Sequence, residues 1–372
     1  MMTKTLYLIL SAPIGSVLII ATLFLLADNK PDRLQRDYSV GRALMADAII
    51  QDTVLDIQYN SYYIAGTTDD RLYLGNVTSF LHLLSIDTTL TDTTHISVRI
   101  KNGDGLVFRS PSFKIQAPYV YLTDGVMPGL FRGRLGQWEV QKFMVDSAYF
   151  TKIVPTGPKN FVIRAMQASS RQYVLGTLQD VPPYLNLASL LQKQVDGVFD
   201  VDGNLLYNRE RDQVVYVYYY RNQFLVTDPE LNLIYEGKTI DTFSRVQLNP
   251  VHVSSGKTHM LAAPPKMVNG NSTTKGNFLL VNSKIMGRND DEDLYSRSSV
   301  IDVYGLEQGA YRFSFYLPGY NGRSARDFRI VGNKLIAQYE HHIVTYTLNK
   351  KYFPQRELNN IHPEESGDSL NT

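Results

Sequence analysis

The sequence predicts an all-β chain, a six-bladed β-propeller preceded by a single N-terminal transmembrane helix. Three observations carry that reading. An apolar, aromatic-rich phrase recurs six times, at Arg71–Gly75, Tyr119–Thr123, Phe161–Arg164, Val214–Tyr218, Phe278–Asn282 and Lys334–Gln338. Successive starts lie 48, 42, 53, 64 and 56 residues apart, a period of repeat architectures rather than of single-core enzymes. The chain also holds 25 Tyr and 16 Phe, which favour strands, and no Cys, which excludes disulfides, thiolate nucleophiles and Cys-based zinc sites.

From Thr5 to Ala27 no residue is charged, a run long enough to cross a hydrocarbon core of about 30 Å as a helix. The run exceeds the apolar region of a usual signal peptide, so residues 1–27 are read as an uncleaved anchor, with a cleaved signal and a buried helix as alternatives. Residues 28–53 read as a stalk, with a ragged helical stretch over Val40–Ile50. At Val54 strict alternation begins, with Leu55, Ile57 and Tyr59 on one face and Asp56 and Gln58 on the other, the pattern of a half-buried strand.

The repeat units follow in order. Strands are expected at Tyr62–Ala65, Arg71–Gly75, Leu81–Ile86 and His95–Ile100, then at Phe113–Gln116, Tyr119–Thr123, Leu130–Leu135 and Trp138–Met144. The third unit gives Phe150–Val154, Phe161–Met166, Gln172–Thr177 and then Leu185–Leu191, as a strand or a short helix; the fourth gives Val214–Tyr220, Phe224–Thr227 and Leu233–Glu236. The fifth contains a polar insertion, Pro265–Gly276, before Phe278–Asn282, Ser299–Tyr304 and Tyr311–Leu317. The sixth has only Asp327–Val331, Lys334–Tyr339 and Ile343–Leu348, so Val54–Tyr59 is expected to supply its missing strand and close the ring over 54–350. Residues 351–372 read as a polar tail.

Lys+Arg 37 against Asp+Glu 36 leaves a formal charge of +1, so nucleic acid is not expected as a partner. No P-loop, dinucleotide fingerprint or Gly-x-Ser-x-Gly elbow is present, and no cofactor is expected. His341 and His342 are adjacent in a strand-like region and point opposite ways; His252 and His259 could meet across a hairpin but lack a third ligand. Asp200–Asn204 resembles the start of a calcium loop, but Asp212 stands at the wrong spacing to close it, and hairpin chemistry is the better reading. The acidic run Asn289–Asp293 reads as a solvated loop, and Tyr216 to Tyr220 as blade packing rather than a stacking platform. One constellation remains: Arg109, Lys152, Arg245 and Arg326 each stand at or just before the innermost strand of a unit, where they would ring one end of a central channel and attract a small anion.

The phrases Asp327–Ala337 and Phe224–Tyr235 resemble blades of the envelope-associated six-bladed β-propellers of bacteria, the broad TolB-like and NHL-like group, over about residues 54–348. The Ser-Pro-Asp-Gly turn of TolB-like repeats is missing, and the NHL pattern survives as fragments such as Asp202–Asn204, so no family residue carries over as a site. The resemblance implies export across the cytoplasmic membrane and a binding or scaffolding role. It also decides orientation. Lys30, Arg33, Arg36 and Arg42 would by count hold the domain in the cytoplasm, although Asp28, Asp32 and Asp37 are interleaved with them.

The expected protein is thus a single-pass inner-membrane protein with a periplasmic or extracellular propeller. It binds another envelope protein or a small anionic ligand, with Pro265–Gly276 and Gly287–Ser298 as a protruding contact surface. A propeller lyase or hydrolase acting on a glycan or peptide in the central funnel is the alternative.

Overall fold

A computed structural model of the chain describes residues 16–22, 35–103, 105–145, 148–182, 184–247, 250–252, 259–261 and 265–359. It divides into two units, Met1–Arg36 and Asp37–Thr372. In the first, residues 16–22 are helical, and the Thr22 hydroxyl donates to the Leu18 carbonyl. The rest of the span expected over Thr5–Ala27 lies outside the described residues, and among those described no helix is long and apolar enough to cross a membrane.

The second unit is all-β and propeller-like, built mainly of four-stranded antiparallel meanders, the first two of which are joined in one nine-stranded sheet that also takes in residues 99–101. Strand β1 (Ile49–Asp56) belongs with the end of the chain. The first sheet is β2 (Tyr62–Thr67), β3 (Arg71–Asn76), β4 (His82–Asp87) and β5 (Thr93–Ser97). The second is β6 (Pro111–Gln116), β7 (Tyr119–Asp124), β8 (Gly129–Arg134) and β9 (Glu139–Val145). Next come β10 (Lys152–Pro155), β11 (Asn160–Gln167), β12 (Gln172–Gln179) and β13 (Leu185–Ala188), then β14 (Gly203–Asn208), β15 (Gln213–Tyr218), β16 (Gln223–Thr227) and β17 (Leu233–Lys238). The following sheet is β18 (Asn269–Lys275), β19 (Phe278–Ser283), β20 (Ser298–Gly305) and β21 (Ala310–Pro318). In the last, β22 (Asp327–Val331), β23 (Lys334–Gln338) and β24 (His342–Leu348) are completed by β1.

Inner strands such as β15 and β19 are apolar on both faces because each sheet packs against a neighbour on either side. An apolar cluster fills each space between consecutive sheets; Phe113 and Val120 meet Leu83 and Ile96, for example. The last sheet meets the first in the same way, with Ile336 and Ile343 against Leu72, Leu74 and Leu84. The first strands touch in a closed cycle: β2 with β6, β6 with β10, β10 with β14, β14 with β18, β18 with β22 and β22 with β2. Where β2 meets β6, Gly66 bridges Ile115, and a Cβ at Gly66 would lie 2.5 Å from the Ile115 carbonyl oxygen, so this approach requires glycine.

Four expectations need correcting. The ladder between β1 and β24 starts at Ile49, opposite Leu348, rather than at Val54, because a bulge between Gln51 and Val54 breaks the two-residue period. The stretch Val40–Ile50 is not a helix. Its Met45 N–H donates to the Ser314 carbonyl and its Ala43 carbonyl accepts from Ser314, so residues 43–45 cover the open edge of β21. The polar insertion is mostly β18, and its buried Asn269, Ser272 and Thr273 do not protrude. The start of the tail is packed as well: Phe353 is buried against Phe278 and Phe313, and Gln355–Leu358 is a helical turn.

Candidate functional site

The closed cycle of first strands surrounds a cavity of 770 Å³ to which β2, β6, β10, β14, β18 and β22 all contribute. Side chains alternate along each strand, so one set packs between sheets and the other faces the cavity. In β6, Phe113 and Ile115 are buried while Lys114 between them lines the cavity; in β22, Phe328 and Ile330 are buried and Arg329 lines it. The wall carries five cationic side chains, Lys114, Lys152, Arg209, Lys275 and Arg329, against three acidic ones, Asp69, Glu210 and Asp327.

The charges sort into two groups. In one, the Lys275 ammonium pairs with Glu210, whose carboxylate also accepts the Gly276 N–H. The other is richer in cations. Arg164 stands directly opposite Lys152 in the β10–β11 ladder, and both reach Asp202, Arg164 Nη1 at 2.6 Å and Lys152 Nζ at 3.7 Å. Arg164 also lies over the Tyr173 ring, and the Lys152 ammonium over the Tyr219 ring. Arg329 Nη1 pairs with Asp327 at 2.5 Å. Lys114 has no hydrogen-bond or ion-pair partner among the described residues. Its side chain lines the cavity and is otherwise surrounded by protein, and that burial, with Arg329 and then Lys152 nearby, draws its ammonium down to about 8 against the pull of Asp327. Burial likewise lowers Lys152, Asp202 opposing and Arg164 adding to it.

Of the four cations read from the sequence, Lys152 lies in this wall. Arg109, Arg245 and Arg326 are exposed and do not line the cavity. Arg326 instead donates from Nη1 to the Asn60 carbonyl, and the Arg109 N–H donates to Asp124. Lys114, Arg164 and Arg329 were not singled out by the sequence. The signal available for two of them was a single cation between two apolar residues in a first strand.

The remaining motifs have structural roles. Asp200 accepts the N–H groups of Gln194, Val195 and Gly197 and so ties down a loop rather than opening a calcium site. Tyr216 and Tyr218 are buried, and the Tyr216 hydroxyl donates to Val201. The register places His252 opposite His259, and no group of three potential metal ligands occurs among the described residues. The acidic run Asn289–Asp293 is exposed as expected except at Asp290, and it runs into a short helix. Asp291 caps the helix Glu292–Arg297 by accepting the Leu294 N–H, and Asp290 is buried against Arg42.

Arg42 was the least expected participant. Its fully buried guanidinium pairs with Asp290, donates from Nε to Asp302 at 2.8 Å, and donates from Nη2 to Ser283 Oγ and the Ile285 carbonyl. Asn289 brackets the Arg42 backbone, accepting its N–H and donating to its carbonyl at 2.8 Å each.

Fold and cavity together define a β-propeller with a polar, cation-rich channel. No family model matches the chain, and no curated protein matches it. Among solved structures it is similar to a member of the duf4221 family from Bacteroides vulgatus, with a TM-score of 0.49 and 11% identity over 81% of this chain and 97% of that one. It is also similar to a catalytically inactive virginiamycin B lyase from Staphylococcus aureus, with a TM-score of 0.47 and 11% identity over 80% and 99% of the two chains. The β-propeller domain of Cps50 (Swd1) from Myceliophteria thermophila follows, with a TM-score of 0.42 and 9% identity over 81% and 100%.

Proposed function

We propose that this protein is a membrane-anchored, extracytoplasmic scaffold of the bacterial cell envelope whose propeller has six blades, binds a small anionic ligand in its central channel and engages another envelope protein on a loop face. The observation that carries the reading is the meeting of Lys114, Lys152 and Arg329 in the channel wall, with Arg164 opposite Lys152 in its ladder and with Asp202 and Asp327 as the carboxylates paired with this group among the described residues. Cations held in a partly desolvated wall bind a carboxylate or phosphate through charge-assisted hydrogen bonds. The apolar run Thr5–Ala27 and the envelope-propeller resemblance support the anchor and its orientation.

Calorimetric titration of the full chain in detergent with citrate, and separately with inorganic phosphate, tests the ligand site. At least one anion should bind, and Arg329→Ala and Lys152→Ala should each weaken it about tenfold, the loss of one charge-assisted bond. Binding that both variants leave unchanged refutes the site. Protease protection of the propeller in intact cells and its cleavage in spheroplasts tests the orientation, and cleavage only after membrane lysis refutes it.

A further inference from the structure

The proposed anion site contains an amine whose chemistry extends beyond charge pairing with an anion. Lys114 lines the channel and its side chain makes no hydrogen bond or ion pair among the described residues, whereas Lys152 and Arg329 are engaged with Asp202 and Asp327. An ammonium that serves only to hold the fold together would be expected to have such a partner. An amine left unpartnered beside two cations in a cavity is the arrangement that activates a lysine as a nucleophile toward carbonyl groups.

We propose that Lys114 captures a small 2-oxo acid as an imine, its Nζ bonded to the former carbonyl carbon while Lys152 and Arg329 hold the carboxylate. This rests on the anion-binding reading and names the ligand class for the same channel. The neutral Nζ attacks the carbonyl carbon, and the displaced π pair makes the carbonyl oxygen an alkoxide. That oxygen takes up protons and leaves as water, and the nitrogen lone pair forms the C=N bond. Amine, carbonyl compound and one proton give an iminium ion and water, with no oxidant or reductant. The proton relay is assigned to Asp327, the carboxylate whose charge acts on Lys114. The lowered lysine leaves about a tenth of Lys114 neutral at pH 7, against well under a thousandth of an ordinary surface lysine.

The test uses the full-length protein with pyruvate as probe and cyanoborohydride to reduce the imine, read by peptide mass spectrometry. Lys114 should be labelled about tenfold or more faster than any other lysine, and citrate should suppress that labelling. Lys114→Arg should abolish the adduct, because a guanidinium forms no imine with a 2-oxo acid under these conditions. Labelling spread evenly over surface lysines, or an unlabelled Lys114, overturns the inference. If anions still bind in that case, the proposed channel site stands and only the imine is lost. If neither anion nor pyruvate binds, both fall.

Discussion

Replacing Arg42 with Ala isolates the cost of unpairing a buried charge network in this fold. The substitution removes an ion pair to Asp290 and another to Asp302, together with donations to Ser283 and Ile285. Burial opposes the Arg42 charge, but Asp302 and then Asp290 outweigh it and raise the group above the ordinary arginine value. Without Arg42 both carboxylates stay in an interior that exposes neither of them appreciably. Breaking a buried pair from one side typically costs about 3–5 kcal/mol, since the stranded charge keeps its desolvation penalty. For a unit of this size, at about 2 °C per kcal/mol, that is a fall of roughly 6–10 °C in melting temperature. The strap over 43–45 should detach with it, because Arg42 is its anchor, and the exposed edge of β21 should make the variant prone to self-association. Scanning calorimetry with light scattering reads both effects. Arg42→Lys should fall in between, keeping the charge but losing the fork. Pairing Arg42→Met with Asp302→Asn should recover part of the loss. An Arg42→Ala variant melting within about 1 °C of the parent refutes the reasoning.

Two further outcomes follow from single positions. Asp241 is buried, and burial with Asp302 nearby raises its carboxyl to about 6, although Thr239 and the Phe243 N–H oppose the rise. Its contribution to stability is therefore full below the unfolded value near 3.9 and is lost as pH rises through 6, so Asp241→Asn should gain about 2–3 kcal/mol on the parent between pH 4 and pH 7 in urea titrations. Parallel pH profiles for the two proteins would contradict it. Gly66→Ala would put a Cβ 2.5 Å from the Ile115 carbonyl oxygen and 2.9 Å from its Cβ, in a contact between two first strands that has backbone on both sides. A loss of about 1–3 kcal/mol in the same titrations is expected, and an unchanged midpoint would show that the strands separate freely.

Strands buried on both faces could be read from the sequence almost to the residue: Tyr119–Thr123 was expected and β7 runs Tyr119–Asp124, and Val214–Tyr220 corresponds to β15. Such strands present continuous apolar runs. Two of the first strands, β14 and β18, were harder to see, for a reason the channel explains. Half of their side chains face water, and in β18 the run Asn269-Gly-Asn-Ser-Thr-Thr-Lys275 is polar throughout, so it passed for a loop. β14 was missed likewise, since Gly203 and Asn204 open it with turn residues. The strap at 37–48 could not be read at all, because its fixing contacts are to residues such as Asp290 and Asp302, some 250 positions away.

The same physics hid the candidate site. A cation alternating with apolar residues on a half-exposed strand has one sequence pattern whether it faces bulk solvent or a shared channel. Only the closing of β22 on β2 decides which, and that closure brings residues 114, 152, 164, 202, 327 and 329 into one electrostatic neighbourhood. Once assembled, the group is not neutral, and the surplus positive charge is held where water is scarce. Such crowding lowers the stability of the empty protein, and Lys114 responds by giving up its proton more readily than a surface lysine. An anion that enters the channel removes the repulsion and stabilises the folded chain by mass action. Melting temperature should therefore rise with anion concentration, and Lys114→Met, which removes one of the crowded cations, should both raise the ligand-free melting temperature and shrink that rise. A variant less stable than the parent without ligand would show that Lys114 supports the fold instead of straining it.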